Sequence, residues 1–178
     1  MLTALKYKER ILEEFYLSDD DITIHRNKNG YRGRFSKHDI VKPFIFKGAN
    51  GMDYKGIHIP LTRTSISLPW LLVILREIPF KDNQVIDHLD GNITNNSRKN
   101  LRVVTQWVNA KNQKKRKNST SGYTGINYNK QAKLYTIRQT IKGKRVYRSS
   151  KTLENAINHL NELRELGLKD GYTQRHGK

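Results

Sequence analysis

Between Asp90 and Glu154 the chain has no Asp or Glu, yet 16 of its Lys and Arg residues fall there. Such a one-sign stretch repels itself when gathered into a compact shape, so it must fold around small cores that leave the cations in water. A polyanion relieves the repulsion, and nucleic acid is the commonest such partner. The whole chain of 178 residues carries 34 Lys+Arg against 16 Asp+Glu, a formal net charge of +18. Residues 111–178 hold 17 basic and 4 acidic groups, against 13 and 9 in residues 1–80, so the excess is C-terminal. An anionic membrane surface fits less well, because the cations fall in loop and strand patterns rather than along an amphipathic helix. The longest apolar run, residues 70–75, suits a core and not a membrane span. The Met1 region alternates charges and has no leader-like apolar stretch. No cysteine is present. That excludes a disulfide scaffold, a thiolate-bound structural zinc and a cysteine nucleophile, and leaves oxygen and imidazole as the ligands for any metal. A soluble cytoplasmic protein is expected.

Apolar spacing at Ala4, Leu5, Leu12, Phe15 and Tyr16 predicts one amphipathic helix over 3–16, ended by Ser18-Asp19-Asp20-Asp21. Strands are expected at 22–25, 41–46, 54–59 and 63–67, then a helix from Pro69 to Glu77 that Pro79 stops. Residues 1–80 thus form a small α+β region. Residues 81–118 follow a strand, loop, strand, helix order: a strand at 84–88, a turn-rich stretch over 90–100, a strand at 101–104, and a helix capped by Thr105. That helix runs into the basic linker Lys111 to Gly122. Residues 119–178 predict strands at 125–129, 134–141 and 144–149, with a tight turn at Lys142-Gly143. A closing helix capped by Thr152 carries the apolar stripe Leu153, Ala156, Ile157, Leu160 and Leu163. The fold class is α+β.

One string carries chemistry: Val85-Ile86-Asp87-His88-Leu89-Asp90-Gly91-Asn92, then Asn95-Asn96, Asn100-Leu101-Arg102, and Asn109 nine residues past Asn100. A carboxylate, an imidazole and two spaced amides supply what one-metal phosphodiester cleavage requires. The imidazole is poised near neutral pH to take a proton from water. A hard divalent cation on the phosphate and leaving oxygen prefers Asp carboxylate and Asn carbonyl oxygens. Since adjacent side chains of a regular strand point to opposite faces, the strand must end or distort at Asp87-His88 for both to serve one site. Asp90, Asn92, Asn95 and Asn96 suit turns. His25, His38, His58, His159 and His176 lack partner spacing, and Trp70 and Trp107 suit core anchors.

This stretch resembles the HNH nuclease family, whose ββα-metal motif clasps one ion between a hairpin and a helix. The subgroup it matches is that of homing and phage-borne endonucleases. The resemblance implies that Asp87 and Asn109 are metal ligands, His88 is the general base, and Asn100 orients the imidazole. Asn109 stands where the family often has His, which favours Mg²⁺ or Mn²⁺ over zinc. Ser121-Gly122-Tyr123-Thr124-Gly125-Ile126, with the strands and helix that follow, resembles an AP2-type DNA-binding domain. That likeness implies a three-stranded antiparallel sheet docked in a groove of double-stranded DNA. Arg138, Arg145 and Arg148 would reach bases or phosphates, with Tyr128 and Lys144 on the same sheet. Asn112 and the linker residues Lys114, Lys115, Arg116 and Lys117 complete the expected DNA contacts. The expected activity is metal-dependent nicking of DNA, in the host cytoplasm if the gene is phage-borne. A single site implies one cut per encounter, and a double-strand break then needs a dimer or a second event. The rival readings are an inactive DNA-binding regulator and a protein acting on RNA.

Overall fold

Several short strands in separate sheets, with few helices, give the α+β class expected from the sequence. The structure is a computed structural model and describes residues 3–49, 51–110, 112 and 121–168. Two compact units divide at Thr105 and Gln106. No helix among the described residues is long and apolar enough to cross a membrane.

The first unit opens with α1 (Thr3–Lys6) and α2 (Lys8–Glu14), parted at Tyr7 (φ −112°, ψ 15°). The single helix expected over 3–16 is thus broken, and its last residues leave it as β1 (Phe15–Leu17) to pair antiparallel with β2 (Ile24–Arg26). Ile11 and Phe15 still meet the same core, because burial and not helix propensity decides where this amphipathic stretch bends. Asp20 builds the β1–β2 turn. Its carboxylate accepts from the Ile22 and Thr23 amides at 2.9 and 2.7 Å and from the Thr23 hydroxyl. Those bonds, the hydroxyl's first, hold its pKa down to about 2.

Strands β3 (Phe44–Lys47), β4 (Asp53–His58) and β5 (Ser65–Ser67) form an antiparallel sheet in that order. Gly56 of β4 lies under the Phe44 ring, where a Cβ would stand 3.0 Å from the ring edge. Next comes α3 (Leu68–Leu75), in which Leu71, Leu72, Val73 and Ile74 are all buried. A helix apolar on every side is the hub of its unit, and α3 packs against α1, α2, β1, β4 and β5. It ends before Pro79 can act. Glu77 takes left-handed geometry (φ 55°), while the amides of Ile78 and Glu77 bond back to the carbonyls of Val73 and Ile74 at 3.0 Å each. This is a Schellman closure built without glycine. The unit closes with the hairpin β6 (Gln84–His88) and β7 (Leu101–Thr105).

The second unit starts with the short α4 (Gln106–Ala110). Its sheet has the order β10-β9-β8, from β8 (Ile126–Asn129), β9 (Leu134–Ile141) and β10 (Lys144–Ser150). Lys142 and Gly143 make the β9–β10 turn with positive φ at both, the geometry that matches strand twist. Helix α5 (Leu153–Leu168) covers one face of the sheet, joining Ala156, Leu160 and Leu163 to Ile126 and Ile137.

Candidate functional site

The β6–β7 hairpin presents the Asp-His pair where regular pairing stops. Asp87 faces Arg102 and His88 faces Leu101 as the last two rungs, and the amide of Gly91 (φ 69°) bonds the His88 carbonyl at 2.8 Å to turn the chain. The strand therefore ends at the pair, and alternation sends the two side chains to opposite faces of the ribbon. Asp87 is 4% exposed, and Arg102 grips its Oδ2 with Nε at 2.8 Å and Nη2 at 2.7 Å. Opposite charges directly across an antiparallel ladder form such pairs readily.

On the other face, Nε2–H of His88 donates to Asn96 Oδ1 at 3.1 Å. With the Asn96 oxygen facing Nε2, a neutral ring carries its proton there and its lone pair on Nδ1. The amide that meets the imidazole is thus Asn96, while Asn100 holds the loop. Asn100 Oδ1 accepts the Asp90 amide at 2.9 Å, and its Nδ2 donates to Asp90 Oδ1 at 2.9 Å and to the Asn95 carbonyl at 2.7 Å. Asp90 in turn accepts the Asn92 amide at 2.7 Å and Asn95 Nδ2 at 2.7 Å. The Asn92 bond, then the Asn95 bond, keep its carboxyl below the usual range. Asn100 reaches His88 through this lattice of turns, at one remove from the ring.

A buried cation braces the loop from behind. The Arg76 side chain, at the end of α3, is fully buried and donates Nη1 to the Asn96 carbonyl at 2.9 Å and Nη2 to the Asp21 carbonyl at 2.6 Å. Its Nε lies 3.1 Å from Asp21 Oδ2. Burial pushes the guanidinium pKa down, with Asp21 opposing. One guanidinium therefore ties the N-terminal turn to the residue that holds His88. The sequence reading missed Arg76, Asn96 and Arg102. Only Arg102 left a signal, as the cross-strand partner of Asp87 once the hairpin register is drawn.

His88 and Asn96 also line an open cleft of about 420 Å³ between the hairpin, β4 and the start of α3. No group of three or more His, Cys, Asp or Glu side chains is placed to hold an ion among the described residues. The donors available, one carboxylate and carboxamide oxygens, fit a hard divalent ion that keeps waters and takes phosphate oxygens as its other ligands. They do not fit a closed zinc site.

Asn109 lies in α4 of the second unit, where its carbonyl accepts the amide of the buried Asn112 at 3.0 Å. Lys114, Lys115, Arg116 and Lys117 lie outside the described residues. On the sheet, strand alternation divides the expected contacts. Arg138 pairs with Tyr147 and Thr140 with Arg145 on the face away from Ile137, and Arg138 sits 5.9 Å from the Tyr147 ring. Tyr128 faces Tyr135 at 4.8 Å between centroids and shares the helix-side parity, as do Lys144 and Arg148. Gln139, 7% exposed, has no partner for either amide atom, and with Arg138 and Arg145 it lines a polar notch.

The hairpin ends on a carboxylate and an imidazole, residue types that metal-assisted phosphodiester hydrolysis uses, here on opposite faces of the ribbon. Residues 77–111, which span this hairpin, match the family model described as HNH endonuclease, and the match supports an HNH-type nuclease segment there. The chain is also similar to Protein 3.8 of Escherichia phage T7, with 35% identity over 77 residues. That similarity covers 43% of this chain and 64% of the T7 protein, so the chain spans less than two thirds of that relative. No solved structure matches.

Proposed function

We propose that the chain is a divalent-metal-dependent HNH endonuclease of the homing type that nicks double-stranded DNA, with its C-terminal sheet as an AP2-like docking surface. The observation that carries the reading is His88, beside Asp87 at the end of a hairpin inside the HNH match, with its tautomer set by Asn96. Water attacks the phosphorus in line and gives its proton to His88 Nδ1, while Nε2–H keeps its bond to Asn96 and shares the new positive charge. Asn100 and Asp90 keep the loop, and with it the ring, in place. Asp87 would hold the ion with Asn109 only after leaving Arg102 and turning to the face of His88, and the ion when bound would supply positive charge to the phosphate and the leaving 3′ oxygen. The products carry 5′ phosphate and 3′ hydroxyl.

Functionally the chain divides into residues 1–80, which brace the hairpin, 81–118 with the nuclease motif and basic linker, and 119–178 for docking. On the sheet, Arg138 and Arg145 meet DNA from the outer face, and Tyr128, Lys144 and Arg148 from the edges. Lys114 to Lys117 track the backbone, and Asn112, buried at 1% exposure, is not among the contacts. The similarity to a phage protein supports action in a host cytoplasm. One observation favours a second reading, a DNA-binding protein with an idle site: Arg102 already occupies the Asp87 carboxylate.

Supercoiled plasmid incubated with Mg²⁺ or Mn²⁺ separates the two. Conversion to open circles that EDTA abolishes, with His88→Ala slowing it about 10²–10⁴-fold at unchanged DNA affinity, supports the nuclease. A metal-independent gel shift without nicking rejects it.

A further inference from the structure

We infer that the cleft beside His88 is a subsite for one unstacked nucleobase of the strand being cut. The inference deepens the endonuclease reading and rests on it, since it takes the His88 ring as the place where the scissile phosphate stands. A group lodged in a cleft that shares His88 as a wall belongs to a nucleotide next to that phosphate. The space, about 420 Å³, suits a small organic group and is too small for a duplex.

The lining chooses which part of the nucleotide enters. Tyr54, Pro69, Trp70, Ile86 and Ile93 make its walls largely apolar, Ser67, Thr94 and Asn96 add polar groups, and Asp53 and Lys55 add one charge of each sign. A charged sugar-phosphate chain meets one cation there, Lys55, with the Asp53 carboxylate near it, and no partner on the apolar walls. A base has two flat apolar faces and a polar edge, and stacking on aromatic side chains is how proteins hold one. In a duplex those faces are already covered by neighbouring bases, so only a base swung out of the stack gains from the cleft. Trp70 is prepared for the contact, fixed at the start of α3 and packed on Phe80 at 5.1 Å between centroids. Ile45, 66% exposed, extends the apolar lining to the rim on β3. An apolar rim beside a cationic protein's candidate site is explained by an occupant that brings apolar surface and negative charge together, as a nucleotide does.

Trp70 is itself the reporter. In the full chain carrying Trp107→Phe, it is the one remaining indole of the two in the sequence. With EDTA present to prevent cutting, a single-stranded oligodeoxyadenylate should quench its emission saturably. An abasic oligomer of equal length, with the same phosphates, should bind by anisotropy and leave the emission unchanged. Equal quenching by both, or none from bound oligodeoxyadenylate, overturns the inference. So does an emission change that depends on protein concentration without DNA, because a second copy then fills the cleft. A second measurement needs no variant: a mismatch placed beside a mapped cut should speed nicking about tenfold, since the base then leaves its stack more easily. Equal rates on matched and mismatched DNA overturn the subsite while nicking itself stands. A protein that never nicks plasmid rejects the endonuclease reading, and the fluorescence arm still decides whether the cleft takes a base.

Discussion

The loop between β6 and β7 and the outer face of the C-terminal sheet employ polar side chains in opposite ways. In the loop, Asp90, Asn92, Asn95 and Asn100 spend their hydrogen-bonding capacity on one another and on nearby main chain. On the sheet, Arg138, Arg145 and Tyr147 stand in solvent, while Gln139, on the opposite, helix-covered face, keeps two buried amide atoms without partners. The first arrangement holds the loop through many mutual bonds, as the proposed proton transfer at His88 requires. The second leaves charged groups in solvent, as the proposed docking on a polyanion of uniform backbone charge requires.

The contrast can be broken most directly at Asn100. Asn100→Ala removes three side-chain bonds at a 7% exposed position and should lower the stability of the first unit by about 2–4 kcal/mol. Hydrogen exchange of the hairpin amides reads the loss, and unchanged protection there would show that the loop does not depend on it. Asn96→Ala should lower kcat about 10–100-fold with KM unchanged, and should alter the pH profile of cleavage because the His88 tautomer is no longer assigned. A pure stability defect would leave that profile alone.

The sheet should answer differently. Arg138→Ala with Arg145→Ala should weaken DNA binding, reduce its log-log salt slope by about 2, and leave kcat at saturating DNA intact. Gln139→Leu should raise the stability of the second unit by about 1 kcal/mol, since a shape-matched apolar group removes an unmet desolvation cost. A loss of DNA affinity with that gain would mark the carboxamide as a contact. The smallest effect is acid-dependent. Asp20 has its folded pKa lowered to about 2 from an ordinary 3.8. Its contribution is therefore complete above about pH 4 and is lost as pH falls through the folded value. Asp90, lowered in the same direction, adds to the loss. Asp20→Asn should flatten the decline of the first unit between pH 4 and pH 2, measured by the same amide exchange.

The hairpin, the three-stranded sheet and α5 were legible because alternation, turn residues and a helical stripe agree with one another along those segments. The 3–16 stretch was not, since the apolar spacing of Ile11 and Phe15 suits both a continuous helix and the observed helix-to-strand bend. The early end of α3 was hidden for another reason: Glu77 adopts a geometry that sequence rules reserve for glycine. At the site, Asp87, His88 and Asn100 stood out by spacing, whereas Asn96 looked like one turn amide among several. Arg76 and Asp21 meet from 55 residues apart, a distance over which no local pattern carries information.

That long-range clasp bears on how portable the HNH-matching segment is. Residues 77–111 bound the recognisable HNH stretch, but the guanidinium that steadies Asn96 comes from position 76 and its counter-charge from position 21. A fragment trimmed to the familiar boundaries, or a graft of those boundaries onto another scaffold, would carry the histidine and leave its buttress behind.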